Sequence, residues 1–143
     1  MGKMLLDIVT AERLISSEEV DVLVAPGSEG ELSILPNHAP LLTSLASGEV
    51  RIITDGNERY ISVSGGFLEI IDNKVTILAD AAERADEIDI KRSEDALRRA
   101  KDRVQNAVDD VDLERALASV RRSQARLTVA RRRQRKSSAS TPL

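Results

Sequence analysis

The sequence of 143 residues contains no cysteine and no tryptophan, and only one histidine, one tyrosine and one phenylalanine. Each scarcity removes a class of chemistry. Without cysteine there is no disulfide framework, no thiolate nucleophile and no Cys-based zinc or iron–sulfur site. A lone histidine, His38, cannot build a His-cluster metal site. Tyr60 and Phe67 are too few to supply stacking platforms for nucleic-acid bases. Long apolar runs are also missing. The longest uncharged stretch, Leu32 to Gly48, holds Pro36, Pro40 and several polar residues, well short of the ~20 apolar residues a spanning helix needs. The N-terminal Met1–Asp7 has no continuous apolar core of the signal-peptide type, so a cytoplasm-like compartment is expected.

What is present is unevenly distributed. The formal net charge is −3. Residues 1–85 carry 6 basic and 14 acidic side chains, a net of −8, whereas residues 86–143 carry 15 basic and 10 acidic, a net of +5. An acidic first part and a basic second part are therefore joined near residue 85, and the residue pattern changes at the same place.

The first part reads as β-structure. Short runs rich in Val, Ile, Leu and Thr alternate with Gly, Pro, Asn and Asp. The runs are Leu5–Thr10, Arg13–Ser16, Val20–Ala25, Glu31–Leu35, Leu41–Leu45, Glu49–Thr54, Arg59–Ser64, Phe67–Ile71 and Lys74–Ala79. Asp55-Gly56-Asn57 and Asp72-Asn73 predict tight hairpins, because these residues tolerate positive φ. Close-spaced strands without intervening helices suggest a sandwich or barrel. Phe67 is expected in its core rather than at a ligand, with an interface position on a partner subunit as the alternative. About 85 residues is small for such a domain, so a partner surface is expected to contribute stability.

The second part reads as two helices. No Gly or Pro occurs from Asp86 to Lys136. Ile90, Leu97 and Val104 repeat every seven residues beside Ala96, Ala100 and Ala107, giving a narrow apolar stripe. Asp89 is the N-cap candidate. Asn106–Val111 breaks the pattern and predicts a turn. A second helix starts near Asp110 or Asp112, with Leu113, Leu117, Val120 and Leu127 on one face. Its end is basic and carries no acid after Glu114. The tail Ser137–Leu143 is polar and is expected to be disordered. Narrow Ala-rich stripes bury little area, so the hairpin should be marginal alone and open to switching between packing partners.

Catalytic patterns are lacking. There is no Gly-x-x-x-x-Gly-Lys-Ser/Thr, no Gly-x-Ser-x-Gly and no His-Glu-x-x-His. His38 sits in a Leu-Pro-Asn-His-Ala-Pro turn without a positioned partner. The residues favour an interaction protein over a small β-sandwich enzyme. A nucleic-acid module using the basic helix is the other alternative; its affinity would fall steeply with salt. The acidic first part and the shortage of aromatics oppose it.

Two stretches carry a specific resemblance. One is Val24–Thr43, reading VAPGSEGELSILPNHAPLLT; the other is Ser64–Glu69, reading SGGFLE, continued by Val75–Asp80. Together they resemble the epsilon subunit family of bacterial F-type ATP synthase, called delta in mitochondria, over about residues 3–133. The resemblance implies a β-sandwich of about ten strands followed by a C-terminal antiparallel helical hairpin. It implies a sandwich (residues 1–85) that docks on the gamma subunit and the c-ring, and a regulatory hairpin (residues 86–136). It also implies a non-catalytic place in the rotating central stalk of a proton-driven enzyme, peripheral on the cytoplasmic side of a bacterial cell membrane, with no direct membrane insertion and no nucleic-acid partner.

The same resemblance implies site residues. An extended hairpin would reach the alpha/beta catalytic head and block ATP hydrolysis through Arg121, Arg122, Arg126, Arg131, Arg132 and Arg133. Some family members bind ATP in the folded hairpin through a motif like Ile/Leu-Asp-x-x-Arg-Ala. Here Ile88, Asp89 and Arg92 match, and Ser93 stands in place of the Ala. The supporting acid corresponds to Glu83, and the further phosphate-facing arginines to Arg99, Arg122 and Arg126. ATP is thus the candidate regulatory ligand, with no cofactor required. The chemistry fits, since guanidinium forks bind phosphate bidentately and a carboxylate accepts from an amino or hydroxyl group.

Overall fold

The structure, a computed structural model, describes residues 2–139, with side chains described through Arg132. Eight strands precede a short 3-10 turn and two helices. The strands are β1 (Met4–Val9), β2 (Leu14–Val20), β3 (Val22–Gly27), β4 (Gly30–Ile34), β5 (Leu41–Thr54), β6 (Asn57–Ile71), β7 (Lys74–Ala79) and β8 (Ala82–Arg84). They pair in the order β2-β1-β7-β6-β5-β3-β4, with β8 on β6. All neighbours are antiparallel except β1 and β7, which run parallel.

The count is eight rather than about ten because two pairs of expected strands are continuous. Leu41–Leu45 and Glu49–Thr54 are both within β5, and Arg59–Ser64 and Phe67–Ile71 are both within β6. Each long strand serves two ladders. The first half of β6 pairs with β8, and the second half with β7. The changeover is at Gly65 and Gly66, both at positive φ. A Cβ on Gly66 would lie 2.1 Å from the Leu78 carbonyl oxygen, so no other residue fits that bend. The inward positions shift there, from Ile61 and Val63 to Leu68 and Ile70. Both halves thereby face one core with Leu6, Ile8, Leu23, Ile34, Val50, Ile52, Val75 and Ile77. Phe67, expected inside, is 56% exposed on the outer face, because Leu68 and Ile70 take the inward positions.

The hairpins follow local chemistry. Asp55-Gly56 and Asp72-Asn73 are two-residue loops with φ of 52° and 78°, and of 49° and 60°. That is the sign a hairpin turn matched to strand twist requires.

Beyond the turn Ala85–Glu87, helix α1 spans Ile90–Gln105 and α2 spans Asp110–Ala139. Asp89 caps α1, its Oδ1 accepting from the Arg92 backbone N–H at 3.1 Å. Asp109 does the same for Asp112 at 2.7 Å. The helices pack as an antiparallel hairpin through Ser93, Leu97, Ala100, Ala116, Ser123 and Leu127. Leu117, expected on the buried stripe, is 38% exposed. Helix α2 also lies on β5 and β6, where Val129 and Ala130 meet Ile88, Tyr60 and Ala85. Its helical backbone runs through Ala139, three residues into the stretch read as a disordered tail, since neither Gly nor Pro intervenes. Ser140–Leu143 lies outside the described residues. No helix among the described residues is long and apolar enough to cross a membrane.

Candidate functional site

Three elements meet where the chain leaves the sandwich: β8, the capped start of α1, and the middle of α2. Between them lies a cavity of about 420 Å³ lined by Glu83, Glu87, Asp89, Arg92, Asp95, Ala96, Arg99 and Arg126. Glu83 comes from β8, Asp89 is the α1 cap, and Arg92 and Arg99 stand two turns apart on one face of α1. Arg126 arrives from α2.

Arg126 is the link across the cavity. Its Nη2 donates to Glu83 Oε2 at 3.0 Å. Its Nε lies 2.7 Å from Glu83 Oε1, a charge contact whose N–H is not aligned as a hydrogen bond. Arg92 and Arg99 make no ion pair among the described residues, and their guanidinium groups line the cavity together with the carboxylates of Glu83, Glu87, Asp89 and Asp95. Glu87 is drawn aside by Arg13, at 3.1 Å. Cationic forks beside carboxylates suit an anion that also carries hydrogen-bond donors. Among the described residues, no cluster of three or more carboxylates or histidines is placed to hold a metal ion.

The cavity gathers Glu83, Asp89, Arg92, Arg99 and Arg126 of the expected set. The other three lie elsewhere. Ile88 is buried under α2 as an apolar anchor. Ser93 is fully buried beside Leu97 on the packed side of α1, and its hydroxyl has no partner. Arg122 points to a neighbouring space of about 230 Å³ bounded by Ser62, Ser64, Glu83, Ser123 and Arg126. Glu87 also lines the cavity, as do Asp95 and Ala96, the latter expected only on the apolar stripe of α1. Helical spacing carries the signal for Asp95 and Ala96, since both fall between Arg92 and Arg99 on the same face.

The remaining arginines of α2 divide between solvent and the chain's own acids. Arg121 and Arg122 are exposed. Arg131 Nη2 lies 3.5 Å from Glu94 on α1. Arg132 pairs with Glu49 on β5. The side chain of Arg133 lies outside the described residues. Three of the expected head-contacting arginines, Arg126, Arg131 and Arg132, are thus engaged within the molecule.

Comparison with known proteins decides the family. Residues 3–85 match the model of the ATP synthase Delta/Epsilon chain beta-sandwich domain, and residues 86–131 match that of its long alpha-helix domain. The chain belongs to the ATP synthase delta/epsilon chain family. It is 51% identical over 134 residues to the ATP synthase epsilon chain of Dehalococcoides mccartyi, covering 93% of this chain and 96% of that one. It is 49% identical over 128 residues to that of Herpetosiphon aurantiacus, covering 90% and 94%. Among solved structures, a chain of the Euglena gracilis mitochondrial ATP synthase OSCP/F1/c-ring assembly superimposes with a TM-score of 0.79 at 23% identity. That match covers 91% of this chain and 82% of the other. At that identity it shows a shared fold, with the helical hairpin of this family member following the sandwich as its two domain matches require.

Proposed function

We propose that the chain is the epsilon subunit in the central stalk of a proton-translocating F-type ATP synthase. It couples the rotor to the catalytic head and restrains ATP hydrolysis through the pose of its helical hairpin. It is regulatory rather than catalytic, and it is peripheral to the cytoplasmic side of a bacterial cell membrane. One observation carries this reading. The hairpin is folded on the sandwich with Arg126, Arg131 and Arg132 held by Glu83, Glu94 and Glu49. Lifting the hairpin off the sandwich frees Arg126 and Arg132, and separating its two helices frees Arg131, for acidic segments of the alpha/beta head, where a cluster of charges adds strength and steering that single exposed pairs lack.

The sandwich supplies the anchor. Leu5, Leu42, Phe67, Ile71 and Leu78 are exposed large apolar side chains. Phe67 and Leu78 are direct cross-strand partners, and Leu42 is diagonal to Phe67 through the Ser44 pairing. An exposed patch of this kind marks a protein interface, which suits docking on gamma. The Leu35–Pro40 loop stands beside the Asp72-Asn73 turn, where the Asn37 backbone N–H donates to Asn73 Oδ1 at 2.8 Å. This end is the candidate c-ring contact.

ATP is the regulatory ligand in this reading. Its phosphates would take Arg92 and Arg99 and compete with Glu83 for Arg126, bridging both helices and favouring the folded pose. Calorimetry of the isolated chain with ATP tests the site. Binding heat and a rise in melting temperature at millimolar ATP are expected, lost in Arg92→Ala and kept in Arg135→Ala. No heat and no thermal shift in the unaltered chain would remove ATP as its ligand.

A further inference from the structure

Helix α2 is fastened to the sandwich a second time, six residues beyond Arg126. At 1.5 Å rise per residue the two fastenings are about 9 Å apart along the helix. Arg132 Nε donates to Glu49 Oε2 on β5. The same guanidinium lies 5.0 Å from the centre of the Tyr60 ring on β6. The Tyr60 hydroxyl in turn donates to Glu58. Glu49 pairs in register with Ser62, two residues from Tyr60, so acid and ring lie diagonally on one face of the β5–β6 ladder. One planar cation therefore uses its edge on the carboxylate and its face on the ring, which a lysine ammonium cannot reproduce. The Glu49 side chain is only 19% exposed, which limits screening by salt.

The electrostatics follow from these contacts. Glu49 raises the Arg132 pKa above its ordinary value, as expected of a cation held by an acid. The Glu58 hydrogen bond and burial raise that of Tyr60. The apolar contact beneath is small, with Val129 and Ala130 against Ile88 and Tyr60. Docking of this end of α2 thus depends on few interactions, and none of Arg132, Glu49 or Tyr60 lines the Arg92 cavity.

We infer that Arg132, Glu49 and Tyr60 form a nucleotide-independent clasp that holds the hairpin folded and withholds Arg132 from acidic partner surfaces. This deepens the proposed function and rests on its two hairpin poses. Two fastenings then set the equilibrium. The Arg126 site responds to nucleotide, and the clasp sets the baseline from which nucleotide works.

Hydrogen exchange of the full chain without nucleotide tests the clasp. Glu49→Gln is expected to speed exchange of α2 amides near residues 120–132 by roughly five- to tenfold, while β1 and β7 keep their protection. Arg132→Gln should match it, and the double variant should be no worse than either single one, as one shared interaction requires. Tyr60 is the only tyrosine in a chain without tryptophan, so its emission should shift in both single variants. Unchanged α2 exchange in both, or additive effects in the double variant, would overturn the clasp. Should Glu49→Gln disturb the sandwich, Arg132→Gln alone decides, because it alters only the arm. A parallel series with ATP separates the two readings. ATP that slows no exchange in the unaltered chain removes the nucleotide site, and leaves the clasp to stand on the variants.

Discussion

Ser93 is fully buried in the helix–helix contact with its hydroxyl unpartnered. A buried polar group without a partner costs about 1–3 kcal/mol. Ser93→Ala removes the group without changing the small volume that α1 needs there. It should stabilise the hairpin by about 1 kcal/mol, read as a higher urea midpoint with an unchanged slope. Asp7 is the opposite case. Its carboxylate accepts from Ser17 at 2.7 Å and lies 3.4 Å from Lys74, tying β1 to both neighbours. The Ser17 hydrogen bond, aided by Lys74, holds its pKa below the ordinary aspartate value. A depressed carboxyl contributes stability above its unfolded pKa and loses it as pH falls through the folded one. Asp7→Asn should therefore be less stable than the unaltered chain at neutral pH, and the gap should close as pH drops below about 4. Denaturation at several pH values checks this. A gap that stayed constant with pH would assign Asp7 a packing role instead.

At the scale of elements, legibility followed the range of the forces involved. The Asp55-Gly56 and Asp72-Asn73 turns and the Asp89 cap are local chemistry, and were readable from the sequence. The bend at Gly65-Gly66 is not local. Glycine marks the place, but only strand pairing shows that β6 continues through it and that the inward positions shift. The expectation for Phe67 failed for that reason. The second buried face of α2 was also hidden, since Ala125, Val129 and Ala130 give a weak apolar signal beside the Leu113–Leu127 stripe. In the site, the Arg92–Arg99 spacing was readable within one helix. The direction of Arg122 depends on how α2 lies on the sandwich, which spacing within α2 does not reveal. Leu127 of α2 is almost fully buried. Leu127→Ala should cost about 2–5 kcal/mol. Hydrogen exchange should show the loss first in α1 and α2, with β-core protection falling less. Equal loss everywhere would mean that hairpin and sandwich unfold as one unit.

For the whole molecule, a sandwich body with its own core carries a mostly cationic arm that its own acids hold down. Opposite net charges on the two parts favour the folded arm at long range, specific contacts at Glu83 and Glu49 fix its register on the sandwich, and the Arg131–Glu94 pair ties its two helices together. On the proposed function, the arm acts on a larger assembly through where it lies. The most direct measurement uses the absence of native cysteine. Glu49→Cys with Arg132→Cys, joined by a thiol-cleavable crosslinker, pins the arm in the folded pose within the assembled ATP synthase. ATP hydrolysis by the pinned complex should run at the uninhibited rate, and cleavage of the link should restore restraint. Equal hydrolysis rates before and after cleavage would contradict control by the arm's pose.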